Sequence, residues 1–283
     1  MLKGILVVDK QLDQKHYLNF CQFLEKNCGI VLGDSKQYLV RSRLSPLVTL
    51  AKLDSLNSFI ELVLRGDRKF QEWAIEAMTT NETLWFRDNY PFELLKKTVL
   101  GQFKPKSRPL RVWSAACSSG QEAYSIAMTI LNYQQAVPGS FSSGVEILGT
   151  DISQEMLDRS RAGEYDKLAL ARGLPAEFKK DFFEQGKNGN FKLNNKVKAL
   201  TKFTSFNLLG NYSSLGRFDI IYCRNVLIYF SPTVKKQILQ KIAACLQDNG
   251  VLFLGASESI SDLTDIFTMV RCNPGLYYRK NPR

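Results

Sequence analysis

The sequence predicts an α/β chain: a Rossmann-like domain with a small β insertion, preceded by a small all-helical domain. Three observations carry this reading. From residue 110 onward, apolar runs of strand length alternate with helical stretches, the pattern of a parallel sheet flanked by helices. Before about residue 90, apolar residues recur at helical spacing. Between residues 174 and 204 a short polar segment with strand-like ends around a Gly/Asn turn interrupts the alternation. The expected division is a helical domain over 1–92, a linker over 93–109 and the sheet domain over 110–283, with the β insertion at 174–204.

The elements follow in order. In HYLNFCQFLEKNCGI, Tyr17, Phe20, Phe23 and Leu24 stand at helical spacing, and Gly29 sits where a C-terminal cap belongs. SKQYLVRSRLSPLVTLAK comes next, with Ser35 a candidate N-cap and Pro46 an expected break or kink. SLNSFIELVLRG begins after Asp54 and ends at Gly66, and KFQEWAIEAM is a fourth helix. The polar, basic GQFKPKSRP, Gly101 to Pro109, reads as an interdomain connection. LRVWSA, VEILGTD, FDIIYCR and GVLFLGAS read as strands; EAYSIAMTILNYQQA, SQEMLDRSRAG and PTVKKQILQKIAACL read as the helices between them. FTMVRCNPGLYYRK reads as a closing hairpin around Asn273-Pro274-Gly275.

Composition excludes several chemistries. The six cysteines are scattered, without a C-x-x-C pair, so neither zinc spacing nor a disulfide framework is expected, and no metal site is read. His16 is the single histidine, which leaves almost no material for histidine acid–base catalysis. No apolar run approaches the ~18 residues of a membrane span, and the N-terminal GILVV is too short for a signal peptide. A cytoplasmic protein is expected. The net charge of +11 suits an acidic partner or a solubility surplus. It is uneven: Asp166 to Phe203 holds nine basic residues, Lys187 among them, against four acidic ones. A smaller cluster sets Lys36, Arg41, Arg43 and Lys52 against Asp34 alone.

The candidate site lies where strands end. RVWSAACSSGQEAYSIAM passes from a strand through small residues into a helix. Small side chains admit a ligand close to the backbone, and a helix N-terminus offers free N–H groups; tight strand-to-helix turns without a ligand look similar. Asp151 stands at the tip of the second strand, where an acid suits a ribose diol or, alternatively, caps the next helix. Together they favour an adenosine-type ligand. The dinucleotide fingerprint G-x-G-x-x-G and the P-loop G-x-x-x-x-G-K-[ST] are both absent, and S-adenosylmethionine (SAM), which has no pyrophosphate, needs neither. Arg224 and Asn225 end an apolar strand on strongly polar groups. In TTNETLWFRD, polar Asn81, Thr83 and Arg87 interleave with Leu84, Trp85 and Phe86; a helix start with a solvated Arg87 is the alternative.

TTNETLWFR, VWSAACSSGQEAYSIAM, LGTDIS, FNLL, FDIIYCRNVLIYF and GVLFLGASES stand in an order and spacing that resemble the chemotaxis receptor glutamate O-methyltransferases, the CheR family. The resemblance covers nearly the whole chain. It implies a helical N-terminal domain, a linker and a class I SAM-dependent methyltransferase domain bearing a β-subdomain. It implies SAM contacts at Asn81, Thr83, Arg87, Glu122, Asp151, Asn207, Leu208, Arg224 and Asn225, and places Arg87 and Tyr229 near the reacting groups. Trp85 stands where the family usually has Phe, and Ala123 replaces a frequent Pro.

The reaction implied is methyl transfer from SAM to glutamate side chains of methyl-accepting chemoreceptors, leaving S-adenosylhomocysteine (SAH). A glutamate with a reference pKa of about 4.3 is already ionised at neutral pH, so no general base is needed. The substrate face should be an acidic helical region of the receptor, with Lys36, Arg41, Arg43 and Lys52 the candidate docking surface. A monomer recruited to receptor clusters, with no membrane insertion and no nucleic-acid partner, is expected. Relatives that grip a receptor-tail peptide carry a longer loop than EQGKNGNFKL, so tail-independent action is expected. Two alternatives stay open: a nucleic-acid methyltransferase, whose usual N-P-P-Y or Pro-Cys motif is missing at CRNVLIY, and a non-catalytic SAM-binding adaptor.

Overall fold

The computed structural model describes residues 11–103, 107–186, 189–260 and 263–282. The GILVV run, Lys187 and residues 104–106 of the GQFKPKSRP connection lie outside the described residues. The chain divides into two compact units, one of residues up to Thr80 with Tyr229–Val234, the other of Asn81–Ile228 with Lys235–Arg283. Residues 81–92, grouped with the helical domain in the sequence reading, therefore belong with the sheet.

The first unit holds α1 (Gln14–Cys28), α2 (Gln37–Leu50), α3 (Leu56–Leu64) and α4 (Arg68–Met78). Asp13 caps α1 through the His16 N–H, and Gly29, at φ 77°, ends it in the left-handed region that a glycine enters without strain. The predicted face of Tyr17, Phe20, Phe23 and Leu24 is buried. Ser35 is not an N-cap: a 3₁₀ turn, Asp34–Lys36, runs directly into α2. Pro46 does not break α2 either. The helix gives up one backbone hydrogen bond there, but Val40, Leu44 and Val48 are fully buried on both sides, and tertiary packing rather than propensity decides. Ser55 and Asp67 cap α3 and α4.

In the second unit the strands are β1 (Leu110–Ala115), β2 (Val145–Asp151), β3 (Glu164–Tyr165), β4 (Phe183–Gln185), β5 (Phe191–Leu193), β6 (Thr201–Ser205), β7 (Phe218–Cys223), β8 (Leu246–Leu254), β9 (Phe267–Cys272) and β10 (Gly275–Lys280). The helices are α5 (Tyr90–Leu94), α6 (Gln121–Ala136), α7 (Gln154–Ala162), α8 (Lys167–Ala171), α9 (Ala176–Phe182), α10 (Asn195–Lys198) and α11 (Pro232–Cys245), whose residues up to Val234 are grouped with the first unit. Seven strands form one sheet in the order β6-β2-β1-β7-β8-β10-β9. Pairing is parallel from β6 to β8, and the β9–β10 hairpin adds antiparallel strands at the far edge. Trp113, Tyr124, Tyr222 and Phe253 are among the large side chains fully buried against the sheet.

Strand order reverses between β1 and β7, which opens a crevice at the carboxyl ends of the strands. Ala115 pairs with both Thr150 and Cys223, so the tips of β1, β2 and β7 are level there. The second sheet, β3-β5-β4, is antiparallel and includes Glu164–Tyr165, upstream of the predicted insertion. Residues 93–102, read as linker, are helical. Leu94, Leu95, Val99 and Leu100 are fully buried, because the apolar pairs recur on one face of the coil.

Candidate functional site

The loop between β1 and α6 takes three left-handed turns of the backbone, at Ala116 (φ 60°), Ser118 (φ 49°) and Gly120 (φ 92°). Gly120 is required: a Cβ there would lie 3.0 Å from Ser160 Oγ and 3.1 Å from the Tyr124 ring. The loop is anchored on β2. Asp151, 7% exposed, accepts the Ser118 N–H at 2.7 Å and the Ser153 N–H at 2.9 Å. The cap of α7 is Ser153, whose hydroxyl accepts the Met156 N–H, so Asp151 is not the helix cap. The Asp151 carbonyl accepts the Phe206 N–H at 2.9 Å, which draws Asn207 and Leu208 to the same strand end. Asn207 Oδ1 accepts the Leu209 N–H, and the Leu208 carbonyl accepts the Tyr212 hydroxyl.

Ser118 Oγ donates to the Asn81 carbonyl at 2.9 Å, tying the 81–88 segment to the loop. The other tie is Arg224, just past β7. Its guanidinium donates to Glu122 Oε2 (3.0 Å), to Asp88 Oδ2 (2.7 Å) and to the Arg87 carbonyl (2.8 Å). Only 1% of the Arg224 side chain is exposed. Burial works against its charge, but Glu122 and Asp88 outweigh burial and its pKa rises. Burial pushes the Glu122 carboxyl up, against the pull of Arg224 and a hydrogen bond from Ser114 Oγ at 2.7 Å. The Arg87 guanidinium donates to the Glu82 carbonyl at 3.1 Å.

The site thus brings Asn81, Arg87, Glu122, Asp151, Asn207, Leu208, Arg224 and Asn225 to neighbouring strand ends through contiguous hydrogen bonds. Thr83 lies on the same segment, half-buried. Tyr229 ends a 3₁₀ turn (Leu227–Tyr229) and falls in the helical unit, where its carbonyl accepts the Val31 N–H at 3.0 Å. Arg43, read as a docking residue, is engaged inside its unit: its guanidinium donates to the Met78 and Thr79 carbonyls at 2.8 Å each and to Thr80 Oγ1 at 3.1 Å, closing the end of α4. Lys36, Arg41 and Lys52 are exposed.

Three supports had no role assigned from the sequence, although Trp85 was noted there and Glu258 lies in a quoted motif. Glu258, inside the quoted GASES, accepts backbone N–H groups from the loop after β7. Tyr165 of β3 donates its hydroxyl to the Ser119 carbonyl at 2.7 Å. Trp85 packs edge-on against Tyr165 and Phe183, with ring centroids 4.8 and 5.4 Å apart. The signal for Glu258 was its place in the GASES motif, four residues past the end of β8 at Leu254.

SAM fits these residues on a structural test. Asn225 Oδ1 and Arg224 Nε are buried with no partner among the described residues. A buried polar atom left unpaired costs about 1–3 kcal/mol, and here two of them stand on adjacent residues at the end of β7, beside the cofactor loop. SAM carries amino donors and a carboxylate acceptor, the two complements required.

Comparison with known proteins agrees. Residues 81–276 match the family described as CheR methyltransferase, SAM binding domain, and residues 15–79 match CheR methyltransferase, all-alpha domain. A Vibrio cholerae protein named chemotaxis protein methyltransferase 1 is 56% identical over 95% of this chain and 98% of its own. The Pseudomonas putida chemotaxis protein methyltransferase Cher2 is 48% identical over 92% of this chain and 96% of its own. The Salmonella typhimurium chemotaxis protein methyltransferase is 33% identical over 91% and 88%. With the parallel sheet, its reversal at β1/β7 and the acid at the tip of β2, these matches establish that the chain belongs to the CheR family and is a SAM-dependent methyltransferase.

Proposed function

We propose that the protein methylates glutamate carboxylates in an acidic helical region of chemoreceptors, giving methyl esters. The observation that carries this is the junction at the strand ends, where Arg224 joins Glu122 to the segment bearing Arg87. When bound, SAM supplies a methyl group activated by a sulfonium. The chain's own residues then have to hold and orient, because an ionised carboxylate is a ready nucleophile and alignment of the reacting atoms is the main demand. Asp151, Glu122, Asn207, Leu208, Arg224 and Asn225, with Asn81 and Thr83, form the cofactor wall. Arg87 orients a carboxylate by a charge-assisted contact, held loosely enough that attack is not suppressed.

The rest of the chain fits a mechanism without a protein nucleophile. Burial pushes the Cys117 and Cys223 thiols well up, which withholds the thiolate that covalent attack on a cytosine ring requires. His16 is held in the helical unit by Asp13 Oδ2 at 2.7 Å. Lys36 and Arg41, exposed on the α2 side of that unit, are the docking residues for an acidic receptor surface. Methylation removes one negative charge from that surface, so the modification acts electrostatically.

The test is incubation with methyl-labelled SAM and membranes bearing chemoreceptors, followed by mild base. Base-labile label on receptor glutamates is expected. Tight SAH binding without transfer to any receptor would overturn the reading in favour of an adaptor.

A further inference from the structure

The chain after β7 turns sharply. Asn225 takes a left-handed conformation (φ 58°), so the N–H groups of Asn225, Val226 and Leu227 converge. Converging backbone N–H groups make an anion-binding nest. Here a side chain of the protein fills it. Glu258 Oε2 accepts Asn225 N–H at 2.8 Å and Gly255 N–H at 2.7 Å; Oε1 accepts Val226 N–H at 3.0 Å and Leu227 N–H at 2.7 Å. One carboxylate takes four backbone donors and joins the tip of β7 to that of β8. The fit is close: a Cβ on Gly255 would lie 2.6 Å from Glu258 Oε2 and 2.9 Å from Asn225 N.

We infer that Glu258 is a positioning residue for methyl transfer: it holds the Asn225–Leu227 backbone in the left-handed turn that aims the unpartnered Asn225 Oδ1 at the cofactor. The inference rests on the methyltransferase reading of the site. It also assigns the nest: the anionic end of the cofactor is bound elsewhere, because Glu258 occupies this one. Without the carboxylate, four backbone N–H groups lose their common acceptor, and the turn at Asn225, a residue type that enters the left-handed region readily, is no longer held to one geometry.

The experiment compares wild type, Glu258→Gln, Glu258→Asp and Gly255→Ala by calorimetric binding of SAH and by the split between KM and kcat. Glu258→Gln keeps the shape but offers one acceptor oxygen and sets an NH2 against the remaining N–H groups. It is expected to raise the SAH Kd and the KM for SAM about tenfold or more, the loss expected for charge-assisted bonds, with kcat at saturating SAM changed much less. Glu258→Asp, which keeps the charge, should recover part of the affinity. Gly255→Ala leaves residue 258 unchanged but sets a methyl group against its carboxylate and against the Asn225 N–H, so it should reproduce the loss by displacing the carboxylate from the nest. Folded Glu258→Gln and Gly255→Ala proteins that bind SAH as wild type does would overturn the inference. So would a fall in kcat and binding that only tracks the folded fraction. A wild-type protein that binds SAH and labels no receptor overturns the substrate reading instead, since the binding comparison uses no receptor.

Discussion

Arg224 Nη2 reaches the backbone carbonyl of Arg87 at 2.8 Å, so a residue at the end of β7 fixes the main chain of the residue proposed to meet the substrate. The same guanidinium lies between two carboxylates, the largely buried Glu122 and the partly exposed Asp88.

Replacing Arg224 by Met should therefore destabilise the fold by about 3 kcal/mol, chiefly because the largely buried Glu122 is left without its cation, while the partly exposed Asp88 can turn to water. Urea denaturation measures this. Arg224→Lys keeps the charge but loses the fork that spans Glu122, Asp88 and the Arg87 carbonyl. It should regain part of the stability while methyl transfer stays down by about a hundredfold, the scale of an ångström-sized misplacement.

Glu122 gives a pH signature. Its carboxyl titrates above the ordinary glutamate value of 4.5, because burial outweighs Arg224. In the window above 4.5 the folded state holds more protons on this group than the unfolded state, so its contribution to stability falls as pH rises. Glu122→Gln lacks that titration. The difference in unfolding free energy, variant minus wild type, should move in favour of the variant as pH rises from the glutamate range towards neutrality. A difference that is flat with pH would contradict the assignment.

Asp151→Asn tests the cofactor loop. The carboxylate holds the Ser118 and Ser153 N–H groups on separate oxygens, and an amide can accept on only one. The SAH Kd should rise about tenfold or more, with hydrogen-exchange protection lost at one of the two amides, Ser118 or Ser153.

Arg41 and Arg43 should separate although two residues apart. Arg43→Ala removes three caps at the end of α4 and should cost about 1–2 kcal/mol of stability. Arg41→Glu, at an exposed position, should shift stability by no more than about 0.5 kcal/mol. It should lower receptor methylation while SAH binding is unchanged; equal loss of both would remove Arg41 from the docking surface.

Periodicity made the alternating unit legible: β1, β2, β7, β8 and their helices lie where apolar runs placed them. Local rules failed where tertiary packing overrode them. Pro46 stays within α2 because Val40, Leu44 and Val48 are buried around it. The 93–102 stretch is core because its apolar pairs outweigh the polar residues beside them. Strand β6 went unread because TKFTS is largely exposed and lacks the apolar run of a buried strand. In the site, residues that end strands were legible from sequence. Their supports, Glu258 and Tyr165, were not, because a long-range hydrogen bond leaves no periodic trace.

Tyr165 has a bearing on engineering. The small antiparallel sheet supports the Ser119 carbonyl through the Tyr165 hydroxyl and the Trp85 indole through Tyr165 and Phe183. It is not a detachable module. A chimera that imports this subdomain from a relative also imports the brace of the cofactor loop. Its junctions belong before Glu164 and after Leu193, with an aromatic hydroxyl kept at position 165. A graft begun at residue 174 would split the sheet between two parents and loosen the loop it was meant to leave alone.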